Sequence, residues 1–475
     1  MPLLPYRFSL YFSEKMRVLR EFLNSSRLLV LAFALAILIG FGLLCLPFVE
    51  AEGHESITPL EALFTSTSAI CVTGLIVRDT GHDFSFTGQI IILILIQAGG
   101  LGILTFSNLM ILLGRGRLSL RQRIIVEQTH GILPGVTPGG MVKRILVYTF
   151  LFESLGAVLL ASRFYFGYGF GFPEACWQGI FHSVSAFCNA GFSLFTTSFM
   201  DYRGDYFLNF IIMILIMAGG FGMMVLADIH IFLRKKWLQH FRRPRLTLHS
   251  RVVLWTSLIL IVAGALLVLF FEKEDTGYPA RFDLKVLAGF FTSVTARTAG
   301  FNTTDFNLMS NAGLVLVILL MLIGGSPGST AGGMKTTTLA AIFAHFRARA
   351  AGDSKPSLMG NSISSEIISK ALTTLFGFFM VALIASVLLE WTEAGQVSVV
   401  SQRSLFLPRF FEVVSALCTV GLSTGITAEL SGWGQIILIA CMFIGRLGPV
   451  IIAASFIGVG KRREFSYPEG RILVG

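Results

Sequence analysis

The sequence predicts an all-α integral membrane protein. It is built from four tandem repeats of helix, re-entrant pore helix and helix around a pseudo-fourfold pore, with eight transmembrane helices. Three observations lead there. The 475 residues are 54% hydrophobic and 13% charged, whereas soluble domains carry about 25% charged residues. One short motif occurs four times, as Cys71-Val72-Thr73-Gly74-Leu75, Cys188-Asn189-Ala190-Gly191-Phe192, Arg297-Thr298-Ala299-Gly300-Phe301 and Cys418-Thr419-Val420-Gly421-Leu422, its glycines roughly 110–120 residues apart. A fixed period of this kind marks a repeat architecture. Each copy also follows a Ser/Thr-rich stretch too short to span a bilayer and precedes a long apolar run.

Taken in order, residues 1–27 form a basic N-terminal segment expected on the cytoplasmic side. Repeat one covers 28–115. Its first span, 28–47, is long enough to cross and lacks a clear small-x-small cleavage site, so it reads as a retained helix and not a signal peptide. Residues 59–70 are too short and polar to span and form a re-entrant helix, and 88–113 returns. Repeat two, 116–236 with its preceding loop, places spans at 144–166 and 207–233 and a short helix at 174–187. Repeat three, 237–350, places spans at 251–271 and 312–346 and a short helix at 284–296. Repeat four, 351–460, places spans at 369–391 and 432–458 and a short helix at 408–417, and a tail, 461–475, follows. A second repeated element sets the register. The outgoing helices contain Ala98-Gly99-Gly100-Leu101-Gly102, Ala218-Gly219-Gly220-Phe221-Gly222, Ile323-Gly324-Gly325-Ser326-Pro327 and Ile444-Gly445-Arg446-Leu447-Gly448.

The net charge of +10 sits in five regions that alternate with the glycine motifs. They are Lys15 to Arg27, Arg115 to Arg144, Arg234 to Arg245, Arg347 to Lys355, and Lys461 to Arg463. That alternation speaks for membrane topology and against nucleic acid as a partner. By the positive-inside rule the basic regions and both termini are cytoplasmic, and the glycine loops open outward. The six cysteines are scattered, most in apolar segments, so a disulfide framework is not expected. Cys71, Cys188 and Cys418 share a repeat position and read as small residues packed behind each loop, since a thiolate metal site needs another geometry.

Four glycine loops converging in an apolar chain are suited to a ring of backbone carbonyls, the means by which filters replace an ion's hydration shell. The candidate filter is Val72, Thr73 and Gly74; Asn189, Ala190 and Gly191; Thr298, Ala299 and Gly300; and Thr419, Val420 and Gly421. The glycines are expected at positive φ. Short helices entering from outside would aim their negative ends at the loops, favouring a cation. A run inside the third outgoing span, Gly324, Gly325, Ser326, Pro327, Gly328, Ser329, Thr330, Ala331, Gly332, Gly333, Met334 and Lys335, should break that helix. Non-helical backbone at that depth is tolerated only against a cavity, so this run is a candidate gate. It misses the phosphate-loop pattern by one residue, because Met334 intervenes before Lys335-Thr336. Arg446 stands in an apolar run. A charge there faces a cavity or a partner, as an electrostatic barrier beneath the filter or in an ion pair with Glu153 or Asp228. Glu61 and Glu412 are expected at the starts of short helices, where a carboxylate suits the positive dipole end. No catalytic constellation emerges; His182 reads as packed, and His54 and His82 as loop residues.

These residues resemble the Trk/Ktr/HKT superfamily of potassium transporters. The resemblance rests on the Cys-Val-Thr-Gly-Leu and Arg-Thr-Ala-Gly-Phe-Asn loops, the Gly-Gly-Ser-Pro-Gly-Ser-Thr-Ala-Gly-Gly-Met-Lys-Thr run and Gly-Arg-Leu-Gly-Pro, and covers about residues 28–460. Eight spans and Gly445 to Pro449 look more like the bacterial Ktr-type pore subunit than the longer Trk type. The resemblance implies potassium uptake across the bacterial plasma membrane, with K+ as substrate and Na+ as an activator, through a homodimer with one pore per chain. It implies a cytoplasmic regulatory ring that binds ATP, ADP or NAD; the chain itself carries no nucleotide-binding fold and no cofactor. It carries filter roles to Gly74, Gly191, Gly300 and Gly421, the gate to 324–335 and the pore arginine to Arg446. Repeat three is one residue shorter between its helix Ser/Thr and Gly300. Asn189 and Ala190 depart from an ideal Thr-Val-Gly, which keeps a sodium or weakly selective pathway as the alternative. A membrane enzyme or receptor is the remote one, disfavoured by the fourfold repeat.

Overall fold

The computed structural model describes residues 25–53, 55–113, 138–237, 245–272, 279, 281–394 and 399–457. The segments before residue 25 and after 457, His54, the loop with Arg115, Arg117, Arg121 and Arg123, and Arg242 and Arg243 lie outside the described residues.

Repeat one consists of α1 (Ser25–Leu44), α2 (Pro59–Cys71) and α3 (Phe86–Leu113). Repeat two consists of α4 (Pro138–Tyr168), α5 (Phe172–Cys188), α6 (Tyr206–Phe221) and α7 (Met223–Trp237). Repeat three has α8 (Leu248–Phe271), α9 (Phe282–Thr295), α10 (Asn311–Leu322) and α11 (Thr336–Ala351), and repeat four has α12 (Ser365–Glu393), α13 (Val399–Leu417), α14 (Gly432–Leu447) and α15 (Pro449–Ile457). Helices α1, α4, α8 and α12 are each long and apolar enough to cross a membrane. Among the described residues the bent pairs α6–α7 and α14–α15 raise that number to six, while α10 and the Phe86–Gly102 part of α3 are shorter apolar stretches.

Each short helix packs between the long helices of its own repeat: α2 on α1 and α3, α5 on α4 and α6, α9 on α8 and α10, and α13 on α12 and α14. Contacts between repeats run in a cycle. The outgoing helix α3 touches α5, α6 touches α9, α10 touches α13, and α14 touches α2. The chain thus closes on itself, its four short helices directed to one centre.

The reason is legible residue by residue. In α1, α4 and α8 a glycine lets the short helix approach. A Cβ on Gly40, Gly156 or Gly264 would overlap the hydroxyl of Ser66, Ser183 or Ser293. Those hydroxyls donate to Ile37 O (2.8 Å), Glu153 O (2.7 Å) and Ile261 O (2.9 Å). A hydroxyl buried in an apolar setting needs such a partner. The outgoing helices come closer still. A Cβ on Gly99, Gly219 or Gly445 would overlap the backbone carbonyl of Ile70, Phe187 or Leu417, the last residue but one before the left-handed turn of each loop. Side-chain caps start α6, α10 and α14, where Asp205, Ser310 and Ser431 accept from the amides of Leu208, Gly313 and Gly434. Ser310 and Ser431 in turn donate to the buried Glu272 and Glu393 at 2.7 and 2.6 Å.

Three expectations need correction. Spans 207–233 and 432–458 are not continuous: α6 and α7 meet at 100° and α14 and α15 at 92°. The hinges are Gly222 (φ +85°) and Gly448 (φ +89°), the last glycine of each motif. At Gly448 the following Pro449 has no amide to continue the helix, whereas Gly102 stays inside the unbroken α3. The short helix expected at 408–417 extends from Val399 with Pro408 inside it, so Glu412 lies near its C-terminal end and not at its start. A small hairpin, β1 (Ser357–Leu358) and β2 (Asn361–Ser362), also appears, turning on Met359 and Gly360 at φ +49° and +81°, the two positive values that a tight hairpin wants.

The glycine seats are testable. Gly445→Ala forces a methyl into the Leu417 carbonyl and should cost about 1–3 kcal/mol, the range for overpacking. Gly42→Ala in the same assay should be neutral or stabilise by up to about 1 kcal/mol, because nothing lies within 4 Å of a Cβ there. Thermal unfolding of the purified protein in detergent measures both, and equal midpoints would contradict the packing argument.

Candidate functional site

The twelve residues singled out in the four motifs meet at one place. Each short helix ends in the same backbone turn. Val72, Asn189, Thr298 and Thr419 adopt φ of +54°, +58°, +71° and +50°, and Gly74, Gly191, Gly300 and Gly421 adopt +90°, +73°, +80° and +91°. The residue between, Thr73, Ala190, Ala299 or Val420, keeps negative φ. This alternation of hand rotates successive peptide planes so that their carbonyls face one side. For the β-branched Val72, Thr298 and Thr419 the left-handed region costs of order 1–3 kcal/mol each. Such strain persists only where the surroundings hold it.

The holding bonds are explicit. Ser68, Ser185 and Thr295 donate to the carbonyls of Leu75 (2.7 Å), Phe192 (2.7 Å) and Phe301 (2.6 Å), the residues after the glycines. Ser68 and Ser415 also accept from the amides of Gly74 and Gly421, both at 3.1 Å. Repeat three makes its bond from one residue nearer, Thr295 to Phe301, and so preserves the geometry despite its shorter spacing. One step further out, His182 and Glu412 occupy the same repeat position. His182 Nε2 accepts from the Leu194 amide (3.2 Å) while its Nδ1 faces Gln178 O (2.8 Å), which fixes the neutral tautomer. Glu412 accepts from Ser423 and Thr424 and from Thr427 at 2.6 Å. His182 is therefore a packed residue, as expected.

The four glycines form a closed ring. A Cβ on Gly74 would meet Ala190 O, one on Gly191 Ala299 O at 2.9 Å, one on Gly300 Val420 O at 2.6 Å, and one on Gly421 Thr73 O. Each loop thus lays the carbonyl before its glycine against the glycine of the loop before it, in the order one, two, three, four and back to one. Only glycine fits, on grounds of space and of φ together. The hydroxyls of Thr73, Thr298 and Thr419 are buried without a hydrogen-bond partner, so the ring carries unused oxygens as well as carbonyls.

The run between α10 and α11 is a loop, as expected. Its neck is tied by Gly324 N–H to Met334 O at 2.8 Å. Its body sits against the ends of the short helix α5 and the outgoing helix α6. Thr330 Oγ1 donates to Phe187 O (3.1 Å), Ser326 N–H to Gly220 O (2.9 Å), and Gly332 abuts the hydroxyl of Thr419. Gly325, Ser326, Pro327, Gly328, Ser329, Ala331, Gly333 and Lys335 belong to the same loop; Ser329 Oγ donates to Ser326 O at 2.6 Å, and Lys335 Nζ turns back to Ala331 O at 2.8 Å. Gly328 O accepts from the amide of Met223, the first residue of α7, at 3.0 Å. The break at Gly222 is therefore where repeat two receives the loop, a role for which the only sequence signal was the third glycine of its motif.

Arg446 is 5% exposed. Its guanidinium donates to Thr330 O on the loop and to Gly99 O of repeat one, the latter at 2.7 Å. The ion pair with Glu153 or Asp228 is not formed: Glu153 bonds Gln97 at 3.1 Å, and Asp228 accepts from Thr247 at 2.9 Å. Two backbone carbonyls already aimed at the same space take the place of a carboxylate.

Residues 23–459 match the family described as TrkH, cation transport protein. The potassium/sodium uptake protein NtpJ of Enterococcus hirae is 36% identical over 96% of this chain and 98% of its own length. The Ktr system potassium uptake protein B of Bacillus subtilis is 34% identical over 94% and 96%. Among solved structures, the potassium transporter TrkH from Vibrio parahaemolyticus superposes with a TM-score of 0.66 at 20% identity, over 90% of this chain and 84% of that one, a likeness of fold. The chain belongs to the TrkH family of cation transport proteins and is a transporter rather than an enzyme.

Proposed function

We propose that this chain is a Ktr-type pore subunit that takes potassium ions into the cell through the ring of Gly74, Gly191, Gly300 and Gly421. The observation that carries this is the closed cycle of carbonyls, Thr73 to Gly421, Ala190 to Gly74, Ala299 to Gly191 and Val420 to Gly300. A monovalent cation stripped of water needs such an oxygen cage. The unpartnered hydroxyls of Thr73, Thr298 and Thr419 add ligands of the same hard-oxygen kind. The names of the Bacillus subtilis and Enterococcus hirae relatives support potassium as the cargo.

In this reading the four repeats span 28–115, 116–236, 237–350 and 351–460, eight spans cross the plasma membrane, and both termini are cytoplasmic. Loop 324–335 closes the path on the pore-helix side of the ring. Arg446 does two jobs there: its charge repels a cation at the exit, and its two hydrogen bonds latch the loop to repeat one. The pore subunit works as a homodimer on a separate cytoplasmic ring that binds ATP, ADP or NAD, and sodium acts as an activator. A second reading, a sodium or weakly selective pathway, draws on Asn189 and Ala190. With Asn189 and Ala190 in place, that quadrant has no threonine hydroxyl.

Expression in a bacterium lacking potassium uptake tests the function. Growth should be restored at micromolar to millimolar potassium when a cognate regulator is present; failure alongside sodium flux would favour the second reading. Gly191→Ser, which places a Cβ against Ala299 O at positive φ, should lower potassium-over-sodium preference about tenfold, equal to about 1.4 kcal/mol, in proteoliposome flux; unaltered selectivity would contradict the filter. Deleting 328–333 should raise rubidium flux. Arg446→Gln should do so by about tenfold or more, since each charged hydrogen bond lost is worth about 1.5–3 kcal/mol. Flux at the native level in both would remove the gate.

A further inference from the structure

Position 297 breaks the pattern of the ring. In repeats one, two and four the residue before the left-handed turn is a buried cysteine, Cys71, Cys188 or Cys418, and in repeat three it is Arg297. Arg297 is 7% exposed. Its Nη2 donates to Ser257 Oγ on α8 at 3.0 Å, its Nε has no partner, and no ion pair to it occurs among the described residues. Beside it lies a cavity of about 10 Å³ lined by Ile216, Met217, Gly220, Phe221, Val294 and Gly325. That is room for about one water, and none of those neighbours ionises. A guanidinium does not shed its proton in proteins. A fixed positive charge is therefore buried behind Thr298, one residue from the ring, without a counter-charge.

Retaining an uncompensated charge there is expensive, and packing alone does not call for it, because three cysteines fill the equivalent positions. We propose that Arg297 is an affinity-setting residue: its charge, pinned by Ser257, weakens cation binding in the third quadrant of the ring so that a bound ion leaves quickly. A conducting site must bind well enough to admit an ion and weakly enough to release it, and a like charge in a medium of low dielectric acts strongly over several ångströms. Arg446 and Lys335 act on the loop beneath; Arg297 acts on the ring itself. The inference rests on the reading of the ring as the cation path.

The test is potassium titration of the purified full-length chain by calorimetry, with rubidium flux in proteoliposomes alongside. Arg297→Gln should bind potassium about tenfold more tightly and turn over more slowly at saturation. Arg297→Lys keeps the charge at low pH and should match the native protein at about pH 5. Its affinity should then rise toward that of the Gln variant between about pH 5 and about pH 10, as a lysine in an apolar site gives up its proton, while native affinity stays level over the same range. Equal affinities for the Gln and Lys variants already at about pH 5, or a flat pH profile for the Lys variant from about pH 5 to about pH 10, would overturn the proposal; the Lys profile decides alone if the Gln variant does not fold. A native chain with no potassium affinity would overturn the reading of the ring, and this inference with it.

Discussion

Backbone lying directly on backbone is the constraint from which the rest follows. At Gly99, Gly219 and Gly445 an outgoing helix rests on the carbonyl two residues before a left-handed turn, and at the ring each glycine rests on the carbonyl of the next loop. Side chains cannot mediate either contact, since a single methyl would displace the neighbour. The helix seats bring the short helices to one depth, and the ring closes because they do. Hydroxyls of Ser68, Ser185, Thr295 and Ser415 then stiffen the turns from behind, so the strain at Val72, Thr298 and Thr419 is carried by polar bonds outside the ring.

The repeat supplies the ring, and its irregularities supply what touches the ring from beneath. A strict fourfold copy would give four continuous outgoing helices and a symmetric, open vestibule. Here α3 is continuous, α6 and α14 bend at Gly222 and Gly448, and the third helix gives way to a loop. The bends and the loop are one system. Gly222 frees the amide of Met223 for Gly328 O, and the neighbouring Gly219 and Gly220 offer carbonyls to the loop's Thr330 and Ser326. A continuous second helix would spend the Met223 amide on its own i−4 carbonyl and leave the loop with one anchor fewer.

Much of this was legible in the sequence because it depends on residue types with few alternatives. Glycine at the four ring positions, the half-length helices ahead of them and the Gly-Pro-Ser break all state backbone requirements that other residues meet poorly. What was not legible depended on context. Left-handed Val72 and Thr419 run against β-branched preference, so no local signal marks them; they follow from the turn that the glycine two residues later requires. Gly222 and Gly102 are the same letter in the same motif, yet of the two only Gly222 is a hinge, and there the Met223 amide beyond it reaches Gly328 O of the loop. Arg446 read as a charge facing a cavity, a barrier beneath the filter, or else as half of an ion pair with Glu153 or Asp228. Its partners are carbonyls, and carbonyls leave no trace in a sequence. Pro408 read as a helix start, although α13 runs on before it to Val399.

The buried cations complete the electrostatic picture. Carbonyls converge at the ring and at the pore-helix ends, so the centre of the molecule is rich in partial negative charge before any side chain is considered. Arg446, Lys335 and Arg297 lie near that centre, and the first two satisfy themselves on carbonyls of the loop and of α3, Thr330 and Gly99 for Arg446, Ala331 and Gly332 for Lys335. A guanidinium or an ammonium group is thus satisfied here by backbone oxygens alone, with no carboxylate among the described residues. The loop is thus held through its own carbonyls and that of Gly99, a set distinct from the ring carbonyls of Thr73, Ala190, Ala299 and Val420.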